Sequence, residues 1–315
     1  MKLKILVQGF IIILNLFCNP EVSSQMLTGR ISISGAFALY PVAIRWSEEF
    51  RKIHPSVIID ISAGGTGKGV ADVINGMVEI GMTSRDLYPE ELKNNVLVIS
   101  VAKDAVVAVM SDKNPSRDDI LKTGLKKETG LGLWVKGNRT TWMQAFNVKA
   151  TSSIHVYTRS DACGAAGIWA KYFGMYQEDL TGVGVFGDPG LIQAIKKDPY
   201  SIGYSNIAYV YDAITRKQIN GISVVPLDLN NNGSIDDDEN FYGNLNEMIS
   251  AVAEGRYPSP PSRKLHFVCR KNQEKNPLYK EFLKWILKDG QKFIHEAGYI
   301  SLSGEEVLAA LKKLE

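Results

Sequence analysis

An α/β fold is what this sequence predicts, and three observations predict it. Strand-like and helix-like segments alternate from residue 30 almost to the C-terminus, and helices placed between strands imply parallel pairing. The composition is that of a globular chain, 45% hydrophobic and 22% charged, which excludes disordered, collagen-like and disulfide-stapled classes. The 315 residues exceed what one small domain needs, so one large or two medium domains are expected. No internal repeat or low-complexity linker separates them.

The first segment reads MKLKILVQGFIIILNLFCNPEVSSQ. Lys2 and Lys4 head an apolar run, Ile5 to Phe17, that is too short to span a bilayer and suits a signal-peptide core. Val22-Ser23-Ser24 supplies small residues before Gln25, so residues 1–24 are assigned to a cleaved signal peptide. Cys18 offers a lipoprotein signal as the alternative, opposed by the bulky Phe17 before it. The mature chain is expected to be exported, periplasmic or at the cell surface, with a lipid anchor as the second option.

The elements of the mature chain follow in order. Arg30 to Ser34 alternates as a strand, and Leu39 to Lys52 carries Val42, Ile44, Trp46 and Phe50 at helical spacing. Val57 to Ser62 is a strand and Gly69 to Asn75 opens a helix. Val96 to Met110 is Val/Ile-rich and extended, with a break expected near Lys103-Asp104. Ser153 to Tyr157 predicts a strand, Ala165 to Phe173 a helix and Leu191 to Lys197 another. Ile202 to Tyr204 and Ile222 to Leu227 predict strands, and Tyr279 to Glu296 one long amphipathic helix.

Lys and Arg number 36 against 34 Asp and Glu, a net +2, so no field favours nucleic acid as a partner. In an oxidising compartment Cys163 and Cys269 could form a disulfide or remain two buried thiols; spacing leaves both open.

Three glycine-rich turns stand where strands hand over to helices. They are Ser34-Gly35-Ala36-Phe37-Ala38, Ala63-Gly64-Gly65-Thr66-Gly67-Lys68-Gly69 and Arg159-Ser160-Asp161-Ala162-Cys163-Gly164-Ala165. A helix N-terminus presents N–H groups without intrahelical acceptors and a partial positive charge, and small residues let an anion reach the backbone. Thr66, Ser84 and Cys163 add side-chain donors, and Arg85 and Arg159 add guanidinium forks. One such turn is common in any α/β protein; three with donors point to capture of a compact tetrahedral oxyanion. Lys68 is followed by Gly69, so the second turn is not a Walker A loop.

On the stretches SGAFALYPVAIRW, SAGGTGKGVADVINGMVEIGMTSRDL, TRSDACGAAGIWAKYFG, SIGYSNIAYVYD and FLKWILKDGQKFIHEAGYISLS, the chain resembles the substrate-binding proteins of high-affinity phosphate ABC importers, of the type II periplasmic-binding-protein family. The resemblance implies a two-lobed α/β clamp, each lobe a mixed sheet flanked by helices, that closes on phosphate and delivers it to a membrane permease. Residues 25–107 with 222–315 would form one lobe and 108–221 the other, in a monomer. Ala36, Phe37, Ala38, Gly65, Thr66, Gly67, Ser84 and Arg85 would line one wall of the cleft, and Arg159, Asp161, Cys163, Gly164 and Ala165 the other. Cys163 and Ala165 stand where the family usually carries hydroxyl residues, and Ser84 where some relatives carry a carboxylate that takes a proton from phosphate; Asp86 is the neighbour that could substitute. Sulfate, molybdate or another oxyanion, and an oxyanion sensor in place of a transport component, are the alternatives.

Residues 228–239 fit a twelve-residue calcium loop. Asp228, Asn230 and Asn232 stand at positions 1, 3 and 5, Gly233 at 6, Ser234 at 7, Asp236 at 9 and Glu239 at 12. A structural Ca²⁺ is expected, bound weakly because two ligands are amides; an Asx-rich turn without metal is the alternative. No cofactor for chemistry is expected. An enzyme would need Cys163 as a thiolate nucleophile with a base, and His54, His155, His266 and His295 fall in no partner motif; His155, on the strand leading to the third turn, is the one worth testing.

Overall fold

The structure of the protein is a computed structural model that describes residues 27–271 and 276–315. The expected signal peptide and Cys18 lie outside the described residues. Among the described residues no helix is long and apolar enough to cross a membrane.

Strand β1 (Gly29–Gly35) points Ile31 and Ile33 into the core and pairs in parallel with β2 (Val57–Ala63) and β3 (Ile80–Thr83). The crossovers are α1 (Tyr40–Ile53) and α2 (Thr66–Ile74). Proline in the first turn and Arg51 and Lys52 in the last favour α1 at both ends. Its Val42, Ala43, Trp46 and Phe50 recur at helical spacing and are buried.

Strand β4 (Val96–Ser111) is sixteen residues long and unites the two halves of the molecule. Residues 96–105 pair antiparallel with β11 (Ser262–Arg270); residues 106–111 pair with β8 (Ser201–Asn206) and β9 (Ile222–Val225). Beyond β8 lie β6 (His155–Arg159) and β7 (Val183–Val185), both parallel, giving the order β2-β1-β3-β11-β4-β8-β6-β7 with β9 also on β4. Short β5 (Leu125–Lys126) and β10 (Leu227–Asp228) form a separate parallel pair. The break expected at Lys103-Asp104 is absent, because the polar Asp104 is buried against Arg263 of β11 while the strand runs on.

Among the described residues two large hydrophobic cores mark two lobes, beside a small cluster of Val70, Val73, Leu87, Val96 and Val268. One gathers Ile31, Trp46, Phe50, Phe267, Phe282 and Ile286; the other gathers Met110, Trp134, Trp169, Tyr204 and Tyr257. Cys269 belongs to the first and Cys163 to the second, and the two thiols are not joined. The sequence places the return to the first lobe at residue 222, whereas packing places it near Ser262. Strand β9 is taken up by the second half of β4, and Leu227, Phe241, Tyr242, Leu245 and Met248 join the second core. The loop 228–239 therefore sits on the second lobe, a pairing that periodicity cannot assign.

The single helix expected over Tyr279–Glu296 is two pieces, Pro277–Leu287 and a 3₁₀ turn Asp289–Phe293. The break brings the Gly290 carbonyl to the buried Trp46 indole, whose Nε1 donates to it at 2.9 Å. A Cβ on Gly290 would stand 3.2 Å from that nitrogen.

Candidate anion-binding site

The first two turns are built against each other. Gly35 has φ 133°, and a Cβ there would lie 2.3 Å from the Met82 carbonyl oxygen and 2.9 Å from Gly69 Cα. Glycine at both positions lets α2 lie directly on the β1–β3 sheet. Ala36 N donates to Met82 O at 2.9 Å, while Phe37 and Ala38 open a 3₁₀ turn whose first amides have no acceptor within the turn. Their carbonyls are held from elsewhere, Phe37 O by the Tyr209 hydroxyl (2.9 Å) and Ala38 O by that of Tyr299 (2.7 Å).

Helix α2 begins at Thr66, three residues before the expected start, because Gly65 at φ 90° turns the chain abruptly out of β2. Thr66 and Ser84 are both buried; Ser84 N donates to Thr66 Oγ1 at 3.1 Å and the two hydroxyls are 3.2 Å apart. Gly67 N donates to Ala162 O at 3.2 Å, a main-chain bond from one lobe to the other.

The third turn follows β6. Cys163 caps helix α3 (Gly164–Tyr172), its Sγ accepting from Ala166 N at 3.4 Å, and Gly164 and Ala165 are the first two helical residues. A Cβ on Gly164 would fall 2.3 Å from both the carbonyl and hydroxyl oxygens of Ser84. The three turns thus converge with the lobes closed on one another.

Arg159 supplies the charge. Its Nε and Nη2 donate to Asp161 at 2.8 and 2.6 Å, and Nη1 donates to Asp188 at 2.6 Å. Those bonds use three of the five guanidinium N–H groups. Burial would lower its pKa, but the charges of Asp188 and Asp161 outweigh that and hold it above its usual value. Its guanidinium carbon lies 5.4 Å from the centre of the Phe37 ring.

The guanidinium of Arg85, expected as a second fork, is not delivered to the cleft. It is bound by both oxygens of Glu91 at 2.8 Å and lies over the Tyr88 ring. Asp86 does not replace the missing carboxylate: its side chain is exposed and faces His266 at 3.6 Å.

Sequence reasoning missed a buried layer behind the turns. Asp188, in the first turn of α4 (Gly187–Lys197), accepts from Arg159, Ser205 Oγ, Asn206 N and Asn206 Nδ2. The Gly187-Asp188-Pro189-Gly190 start, another strand-to-helix turn, was the available signal. Arg263 of β11 donates to Gly164 O at 3.1 Å, to Asp104 at 3.4 Å and to Asn206 Oδ1. It ties the strands joining the lobes to the third turn. Nothing in sequence spacing links residue 263 to residue 164.

The Cys163 thiol is pushed up to about 11, chiefly by burial. His155 is at the far end of β6, its Nδ1 held 2.6 Å from Asp198 Oδ2. Together the turns bring helix-start amides, the Thr66 and Ser84 hydroxyls and one buried guanidinium close to one another, donor types that suit an anion.

A family model described as a PBP superfamily domain matches residues 22–289. The phosphate-binding protein PstS of Methanocaldococcus jannaschii is 24% identical over 90% of this chain and 85% of its own length. Among solved structures, an ABC-transporter substrate-binding protein from Clostridium perfringens with bound phosphate superposes with a TM-score of 0.71 at 22% identity, covering 87% of this chain and all of that one. An ABC-type phosphate transport receptor from Vibrio cholerae gives 0.61 at 20% identity, covering 86% of this chain and 100% of its own. With the two-lobed α/β fold and the family match over most of its length, the chain belongs to the PBP superfamily.

Proposed function

We propose that this protein captures inorganic phosphate between its lobes and delivers it to an ABC permease as an exported, monomeric substrate-binding protein. The observation that carries the reading is the convergence of three strand-to-helix turns on one buried arginine, Arg159, fixed by Asp161. The relatives named for phosphate and the neighbour solved with phosphate support the same ligand. Phe37, Ala38, Gly164 and Ala165 supply main-chain amides, Thr66 and Ser84 hydroxyls, and Arg159 the charge. Closure excludes water, which strengthens each of these bonds. Losing one hydroxyl donor to a charged ligand costs about 1.5–3 kcal/mol, so with Cys163 and Ala165 in place of hydroxyl residues micromolar affinity is expected.

Catalysis at Cys163 has little support. A thiol held near 11 stays protonated at neutral pH, and His155 is engaged by Asp198 instead of facing the thiol. The expected leader 1–24 and the family support export. Equilibrium dialysis of residues 25–315 with labelled phosphate tests the assignment. Arsenate, its close analogue, should displace the label, and sulfate and molybdate should not; displacement by sulfate at equal concentration would reassign the ligand.

A further inference from the structure

The loop 228–239 takes no part in anion capture, and its geometry carries an inference of its own. The backbone is folded as a ligating loop: Gly233 stands at φ 87° and Asn231 at φ 62°. Gly233 N donates to Asp228 Oδ2 (2.8 Å), Asn232 N to Asn230 Oδ1 (2.9 Å) and Ser234 N to Asn232 Oδ1 (2.8 Å). Glu239, at the other end and buried, folds back to accept from Leu229 N and Asn230 N at 2.8 and 3.0 Å. An Asx-rich turn without a ligand would show as much.

Asp228 sets this loop apart from such a turn. Its side chain is 0% exposed, one oxygen is turned onto Gly233 N, and the other, Oδ1, is buried with no hydrogen-bond partner. A buried carboxylate oxygen without a donor calls for a cation. Lys126 is the nearest cation, but its Nζ stands 3.9 Å from Oδ2, a third exposed, and donates to Asn231 O at 3.0 Å. It covers the mouth of the loop and leaves Oδ1 unmet.

We propose that residues 228–239 bind one calcium ion as a structural site of the second lobe. No three His, Cys, Asp or Glu side chains gather at a metal-binding spacing among the described residues. The expected donors are mostly of a different kind: two amide oxygens (Asn230, Asn232) and the Ser234 carbonyl join the carboxylates of Asp228 and Glu239, while Asp236, whose Oδ2 accepts from the Asn230 and Asn232 side-chain amides, stands at the position that often reaches the ion through water. Such an all-oxygen set suits a hard cation and not zinc, and a bidentate Glu at position 12 suits calcium over the smaller magnesium.

The ion would clip a corner of the lobe. Ile235 N donates to Lys122 O at 2.8 Å, a Cβ on Gly124 would meet Ile235 Cδ1 at 2.3 Å, and β10 pairs with β5.

Calorimetry and thermal unfolding of EGTA-stripped residues 25–315 with CaCl₂ test the site, without any added phosphate. One site is expected with a dissociation constant between about 10⁻⁵ and 10⁻³ M. The melting temperature should rise by about 5 °C at saturation, fall back with EGTA and respond less to MgCl₂. Asp228→Asn, near-isosteric, should abolish the calcium response while circular dichroism stays native. Lys126→Met, a surface change, should tighten binding several-fold. No heat and no melting shift in the wild-type protein up to about 10 mM calcium would overturn the proposal. A melting temperature lowered by Lys126→Met in a calcium-insensitive protein would do the same, identifying Lys126 as the cation the loop uses.

Discussion

Arg159 and Asp188 meet at 2.6 Å with both side chains 1% exposed, so the charge facing the cleft is fixed by a carboxylate from another helix start. Removing Asp188 leaves Arg159 with Asp161 alone and strands the Ser205 and Asn206 donors, and losing one partner of a buried charge network costs about 3–5 kcal/mol. Asp188→Ala is expected to lower unfolding free energy by that amount in urea titrations. A loss below about 1 kcal/mol would show that Asp161 alone holds the arginine.

Closure itself depends on Gly164. A methyl group there meets Ser84 across the cleft at 2.3 Å, while the helical position tolerates alanine. Gly164→Ala should keep its melting temperature within a few degrees and bind phosphate at least tenfold more weakly, with X-ray scattering showing a more open molecule. Unchanged affinity would remove the Gly164–Ser84 contact from the closing surface.

Two buried groups oppose each other in pH dependence. Burial pushes Asp104 up to about 7 against the pull of Arg263, and burial pushes His266 down to about 4 against the pull of Asp86. Asp104 keeps a proton in the folded state that the unfolded chain releases near the ordinary carboxyl value of 3.8, so its contribution is full below that pH and lost as pH rises to 7. His266 has the reverse sign: its contribution is present above 6.5 and lost as pH falls to 4. Relative to wild type, Asp104→Asn should therefore add a positive slope of up to about 1.4 kcal/mol per pH unit between pH 4 and 6.5. His266→Asn should add a negative slope. Equal slopes in wild type and Asp104→Asn would contradict the burial of a titrating Asp104.

The resemblance to phosphate importers implies a hydroxyl residue at the position of Cys163. Cys163→Ser keeps a cap for Ala166 N and adds an O–H donor at the head of α3. Phosphate binding should tighten about tenfold by calorimetry. A weaker complex would mean that the larger sulfur fills space the ligand needs.

Much of this was legible in the sequence because the turns are local. Gly35, Gly65 and Gly164 lie within a few residues of the strand and helix they join, so hydrophobic periodicity and glycine spacing locate them without the fold. The Arg85 guanidinium goes instead to its partly buried partner Glu91 and the Tyr88 ring, a pairing that residue type alone does not distinguish from a ligand contact. Arg263, Asn206 and Asp188 reach the site only because β11, β8 and α4 are brought together by strand order, which is long-range information. The lobe boundary was misplaced for the same reason, since β9 finds its partner more than a hundred residues earlier.

Isothermal titration calorimetry of phosphate into residues 25–315 and into Arg159→Ala measures the central claim most directly. The account predicts one site per chain with micromolar affinity in the wild-type protein, and at least tenfold weaker binding once the guanidinium is gone. No heat from phosphate, or an identical dissociation constant in the variant, would contradict it.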